Sequence, residues 1–526
     1  MRWLLLSLGF SISLLSSSQF FDDKTITLNQ VINYISEDYV DTVNKDQLIE
    51  KVVIDLLHNL DPHSAYISKD EVKQMNEPLE GSFEGIGIMF NILNDTILVV
   101  SPISGGPSEK VGLMAGDRIV KINGENVGGI GISNTDVQKK LKGPKGTKVD
   151  VSVKRRKMKG LLDFTITRDI IPINSIDASY VLDDKIGYIK INRFALTTMK
   201  EFYEAVSELQ SKGVEDFVLD LSGNGGGFLQ VAFWLADEFL DDGKMIVYTE
   251  GNNSPREEYM ARASGLLQDS KVVVIIDEGS ASASEILSGA LQDWDRGIII
   301  GRRSFGKGLV QKQYELSDGS MIRLTVARYY TPTGRLIQKP YQDGADDYEH
   351  DLINRYIRGE SFNKDSIHFP DSLKYKTLVK GRTVYGGGGI MPDIFIPLDT
   401  TFYTDYYRDL IAKGILNKFI LSSLDSQRSK LKSKYSDFKS YHREYEVSDK
   451  LLKELTDFAK NEDLEFNEKE FEISKDQLKL VIKASIARDL WSNNEFFQII
   501  NEQSEEVKKA REVLNNWRKY QLMVMN

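Results

Sequence analysis

A serine at the start of a helix can be a nucleophile or merely a cap. Ser282 lies in the run Asp277-Glu278-Gly279-Ser280-Ala281-Ser282-Ala283-Ser284-Glu285-Ile286. The apolar stretch 272–276 before it reads as a buried parallel strand, and 286–291 after it reads as a helix. Small residues at such a turn leave a hydroxyl exposed at a helix N-terminus, where backbone N–H groups can receive an oxyanion. The same residues fit a capping box from Ser282 to Glu285, in which the serine only starts the helix. Taken alone, the run supports both readings.

A serine nucleophile needs a base, usually histidine. The five histidines are His58, His63, His350, His368 and His442, so none falls between positions 64 and 349, the span that looks like the α/β core. His58 and His63 lack metal-ligand spacing on one face and read as structural. Cysteine is absent, which leaves no disulfide and no lipid-attachment cysteine. The core must then offer a lysine or a carboxylate. Lys307 stands in the glycine-flanked loop Gly301-Arg302-Arg303-Ser304-Phe305-Gly306-Lys307-Gly308, and Gln311 follows. In an extended segment, their even separation puts both on one side. A lysine base must be neutral, so burial has to lower its pKa from about 10.4. Gln311 could orient it without adding charge; a carboxylate there would stabilise the ammonium. A phosphate-binding loop is a competing reading of Gly301 to Lys307. Position 308 is glycine, not the magnesium-binding Ser or Thr, and an extended segment follows instead of a helix. A silent peptide-binding scaffold is a third reading.

The chain resembles the carboxyl-terminal processing (tail-specific) serine proteases of the S41 type. The resemblance rests on Gly279 to Ile286, on Phe305-Gly306-Lys307-Gly308 with Gln311, on Asp220-Leu221-Ser222-Gly223-Asn224-Gly225-Gly226-Gly227, and on Thr331-Pro332-Thr333-Gly334-Arg335. It spans roughly residues 25–400. It implies a crotonase/ClpP-like α/β core, an endopeptidase activity without cofactor or metal, and Ser282 as nucleophile with Lys307 as base and Gln311 beside it. It also implies an oxyanion hole from the Gly226-Gly227 step and the N–H of Ala283. Ser222 and Gly225 depart from the family, which commonly has arginine and then proline or serine there. A more flexible loop would follow.

The elements that must position these residues can be read in order. With 526 residues, several domains are expected, and a net charge of −11 argues against nucleic acid as partner. Residues 1–18 combine one positive charge, a short apolar run and small residues, as in an export signal. In 19–74, Leu28, Val31, Ile32, Ile35 and Tyr39 share one helical face, and Ile49, Val52, Val53, Leu56 and Leu60 share another. These helices either dock on the core or, as the resemblance implies, form a dimerisation arm. The short strands and turns of 75–168 resemble a PDZ domain. In it the loop Gly85-Ile86-Gly87-Ile88 would hold a peptide's terminal carboxylate, with the peptide added as a strand beside the helix 133–141. Over 169–400, strand and helix signals alternate, placing the motifs in loops after strands. Residues 401–526 lie outside the resemblance and read as a helical appendage with solvated Lys/Glu faces. The expected molecule is an exported, periplasmic or envelope-associated protease. It would be a dimer or larger and act on proteins with a free C-terminus, with an adaptor as a further possible partner.

Overall fold

The structure, a computed structural model, describes residues 23–156, 158–262, 265–342 and 344–523. The expected export signal over 1–18 lies outside them. Helices α1 (Asp23–Asp38) and α2 (Lys45–His58) come first, α2 being capped by Asn44, whose side chain accepts from the N–H of Asp46 and Gln47. Of their apolar residues only Ile32 and Leu57 are buried, while Leu28, Val31, Leu56 and the following Leu60 stay exposed. The pair is therefore not docked flat on the core. Strand β1 (Ala65–Ile67) and helix α3 (Lys69–Glu80) follow, and Gly81, in the left-handed conformation at φ +76°, ends α3.

The next unit begins with β2 (Ser82–Gly85) and continues through β3 (Ile88–Ile92), β4 (Ile97–Pro102), α4 (Pro107–Lys110), β5 (Arg118–Ile122), β6 (Glu125–Asn126), α5 (Asn134–Leu141), β7 (Lys148–Lys154) and β8 (Leu162–Thr167). Its antiparallel sheet runs β3-β4-β5-β7-β8, with β6 on β5. Inward residues such as Ile97, Val99, Ile119 and Val151 close a core of its own. Strand β9 (Asp169–Pro172) then pairs with β2, with Gly85 opposite Asp169, so entry and exit form one two-stranded stem.

Beyond the stem lie β10 (Ile176–Asp183), β11 (Ile186–Ile191), α6 (Thr198–Ser211), β12 (Asp216–Asp220), α7 (Leu229–Asp237), β13 (Met245–Gly251), β14 (Ser254–Met260), β15 (Val272–Ile276), α8 (Ala283–Asp293), β16 (Ile298–Gly301), β17 (Leu309–Glu315), β18 (Met321–Tyr330), α9 (Ala345–Ile357), β19 (Lys374–Lys376), β20 (Thr383–Tyr385) and β21 (Ile394–Phe395). A six-stranded sheet is ordered β10-β11-β12-β15-β16-β21, parallel except for the β10–β11 hairpin. Both its faces are covered, which is why β15 is an unbroken run of Val and Ile. Residues of α6, α7 and α8 share the core on one face. A second, antiparallel sheet, β1-β18-β13-β14 with β17 on β18, carries the segment after Lys307.

The chain ends in α10 (Asp405–Ala412), α11 (Ile415–Lys434), α12 (Phe438–Glu444), α13 (Asp449–Asn461), α14 (Glu468–Leu490), α15 (Asn493–Ile500), α16 (Glu505–Asn515) and α17 (Trp517–Met523). Most of these close a helical core of their own. The last two do something the Lys/Glu pattern did not reveal. Val507, Ala510, Val513, Leu514 and Tyr520 pack with Val218, Val273, Ile275 and Ile300 on the far face of the six-stranded sheet. The terminal stretch is thus a layer of the α/β core as well as an appendage. Among the described residues, no helix is long and apolar enough to cross a membrane.

Candidate active site

Ser282 sits between β15 and α8 with φ 55° and ψ −113°, a conformation that L-residues avoid. Such strain persists only where the surroundings over-determine it. Here one of them is Glu285, fully buried, whose Oε2 accepts the Ser282 N–H at 2.8 Å and the Lys307 N–H at 2.9 Å. Its Oε1 accepts from Ser304 Oγ and, at 2.7 Å, from the Gly306 N–H. The residue that reads as the far end of a capping box therefore also fastens the 304–307 loop to the serine turn. Burial pushes its pKa up, while these donors oppose the shift. Tyr329, buried on β18, ties the same two places from the other side. Its hydroxyl donates to the Lys307 carbonyl and lies 3.1 Å from that of Ser282.

The neighbouring serines are committed to the backbone. Ser280 Oγ donates to Leu221 O and Ser284 Oγ to Asn224 O, both at 2.8 Å. The half-buried Ser282 instead lines a cavity of about 640 Å³ together with Lys307, Gln311, Gly225 and Gly227. Lys307 Nζ donates to Gln311 Oε1 at 3.0 Å, so the two side chains do share one side. Burial first, and then the nearby Arg323 charge, brings the Lys307 pKa down to about 8. The phosphate-loop reading fails here: the N–H groups of Gly306 and Lys307 are spent on Glu285, and the strand β17 follows.

Gln311 reaches outside the core. Its Nε2 donates at 2.6 Å to the carbonyl of His63, a residue read from sequence as merely structural. The His63 ring bonds Tyr348 Oη at 2.7 Å, and burial, followed by the Lys307 charge, lowers its pKa to about 3, so it stays neutral. The Asp61 carboxylate builds the turn, taking the N–H groups of His63 and Ser64 and, at 3.0 Å, Thr325 Oγ1. The only available signal was the Asp61-Pro62 stop; that it lands beside Lys307 is a tertiary fact.

The glycine loop after β12 lies against the serine turn. A Cβ on Gly226, at φ +102°, would come within 2.8 Å of Ser282 Cβ and 3.0 Å of Ala283 N. The Gly226 N–H itself is donated to Asn224 Oδ1 at 2.9 Å, which removes Gly226 as an anion donor. The N–H groups of Gly227 and Ala283 have no acceptor among the described residues. The expected looseness at Ser222 and Gly225 is countered by anchors. Asn224 Nδ2 holds Ile191 O at 2.8 Å, and the Ser222 N–H and hydroxyl both hold the buried Asp220.

A second cavity, about 460 Å³, opens between β3 and α5. Ile86, Gly87 and Ile88 line it with Gln138 and Leu141, and the N–H groups of Ile86 and Gly87 have no acceptor among the described residues. Gly85 is not part of this lining; it belongs to the stem, opposite Asp169. Helix α3 walls both cavities, presenting Asn76, Leu79 and Glu80 to the first and Gln74, Glu77 and Pro78 to the second. No cluster of potential metal ligands occurs among the described residues.

The model of "Peptidase family S41" matches residues 185–346, a PDZ domain model matches 98–155, and a family of unknown function matches 406–492. The carboxy-terminal processing protease CtpA of Bacillus subtilis is 36% identical over 319 residues, 60% of this chain and 67% of that protein. The carboxy-terminal-processing protease of Bartonella bacilliformis is 36% identical over 312 residues, 59% of this chain and 71% of its own. A solved photosystem II D1 C-terminal processing protease is 30% identical with a TM-score of 0.33, covering 59% of this chain and 83% of that one.

Proposed function

The chain belongs to peptidase family S41, the carboxy-terminal processing serine proteases with a PDZ domain, and we propose that Ser282, Lys307 and Gln311 carry its chemistry. Ser282 Oγ attacks the substrate carbonyl carbon while its proton passes to neutral Lys307 Nζ. The oxyanion settles on the N–H groups of Gly227 and Ala283. Lys307 then returns the proton to the departing amine, and water repeats the sequence to release the acyl group from Ser282. The observation that carries this is the partner of Lys307, a neutral amide at 3.0 Å in a buried setting, which leaves the amine free to lose its proton. Ser282→Ala should abolish cleavage of an unfolded peptide without changing the circular dichroism spectrum; retained turnover would refute the assignment.

Substrates are taken by their tails. The unpaired N–H groups of Ile86 and Gly87 suit a terminal carboxylate, and the groove beside α5 takes the last apolar side chains. We divide the chain into an export signal (1–18), a helical arm (19–74), a PDZ domain (75–168), a protease core (169–400) and a helical extension (401–526). The apolar leader supports export to the cell envelope, which N-terminal sequencing of the mature protein checks. The exposed apolar face of α1 and α2 supports self-association, with an adaptor as a further partner of the helical regions. A monomeric sedimentation profile at micromolar concentration would exclude the dimer.

A further inference from the structure

Arg323 lines the same cavity as Ser282 but has no place in the chemistry above. It lies on β18 opposite Gln313, while Thr325, two residues on, lies opposite Gln311. Side chains two apart on a strand share a face about 7 Å apart. The guanidinium therefore stands within two or three residues' reach of the bond being cut, taking roughly 3.3 Å per residue of extended substrate.

Among the described residues, Arg323 lacks both an anion and an oxygen acceptor for its buried Nε. No carboxylate among the described residues approaches it within ion-pair distance, its Nε is buried without an acceptor, and Nη1 meets only Met75 Sδ at 4.0 Å. Two other interior arginines without an ion pair find carbonyls instead, Arg296 those of Phe239, Leu267, Gln268 and Ser270 and Arg428 that of Asp489, and others find carboxylates. Arg303 pairs with Glu360, Arg335 with Asp293, and Arg382 with both Asp295 and Asp393. Glu80 is the one carboxylate in the cavity wall; it is exposed and forms no ion pair with Arg323. Burial lowers the Arg323 pKa, yet a guanidinium does not deprotonate at working pH, so a fixed charge with open donors faces the substrate space. Half-removing a charge from water is unfavourable until an anion joins it, and a planar fork of N–H groups matches a carboxylate.

We propose that Arg323 is a specificity-determining residue that binds a substrate carboxylate close to the scissile bond. This rests on the Ser282 site being the place of cleavage. The carboxylate is either an Asp or Glu side chain or the α-carboxylate of a very short tail. Two peptide series separate these sources: one walks Asp, against Asn, through the three positions on each side of the cleaved bond; the other compares acid and amide ends one to three residues beyond it. At one position the acidic form should be cleaved about tenfold better or more in kcat/KM, and Arg323→Gln should erase that ratio while Arg323→Lys keeps part of it. If the arginine only keeps Lys307 neutral, Arg323→Gln moves the pH profile of all peptides alike and leaves every ratio unchanged, which overturns the proposal. Should Arg323→Gln cleave nothing, the same comparison is read as peptide binding in a Ser282→Ala background, where equal affinities with and without the arginine overturn it too. Cleavage surviving in Ser282→Ala counts against the Ser282 reading and not against Arg323, whose test is the ratio.

Discussion

Burial is the first influence on the protonation of Lys307, and two neighbours act beside it. Arg323 opposes the ammonium by charge, and Gln311 holds the amine without charge. The pKa is lowered to about 8, so the neutral base accumulates as pH rises through that value and is lost in acid. The rate of peptide cleavage should therefore climb to a plateau above about pH 8. Gln311→Glu places an anion on Nζ, raises the lysine pKa and should move the rising limb up by about one unit or more, with a slower rate at neutral pH. An unmoved limb in a folded variant would mean that Gln311 does not govern the base. The proposed trio of Ser282, Lys307 and Gln311 was suggested by residue type and local spacing, and the Lys307–Gln311 contact is the part the structure places. Glu285, Tyr329 and His63 were not legible, since each acts by touching a segment distant in sequence. Glu285 showed only as a cap, and its second task appears when the 304–307 loop folds over it.

Among the elements, the strand before Ser282 and the helix after it were readable from apolar runs and turn residues: 272–276 is β15, and 286–291 lies within α8. The packing of the terminal helices was not readable in this way. Their small apolar stripe is the same whether it faces a neighbour helix or a sheet, and only the bare face of the six-stranded sheet decides between them. Val507, Ala510 and Val513 fill that face, while Glu506 bonds Arg302 at 2.7 Å, itself bound to Glu278 in the serine turn's approach. Deleting 504–526 should thus expose Val218, Val273 and Ile275 and give aggregated protein on size-exclusion chromatography. A soluble, monodisperse, active truncation would show that the helices are dispensable to the core.

At the scale of the molecule, α3 is shared between the proposed tail-binding groove and the proposed cleavage cavity, and the stem β2–β9 is the only strand pairing between the groove domain and what precedes or follows it among the described residues. A tail held in the groove keeps the rest of its own chain at high local concentration near Ser282. Amidating the substrate's C-terminus removes the charge that the Ile86 and Gly87 N–H groups would bind and should raise KM far more than it lowers kcat. Excising the domain at the stem, between the paired Gly85 and Asp169, should abolish the difference between acid and amide. Low residual activity then means delivery, whereas fast, unselective cutting means that the domain restrains the site.

The kcat/KM of Lys307→Ala on a free-acid peptide at pH 8 tests the proposed role of a lysine as general base most directly. The arrangement predicts a folded protein whose rate has dropped by about a thousandfold or more. A rate within tenfold of the unaltered enzyme would contradict it, because the serine would then be losing its proton without the lysine.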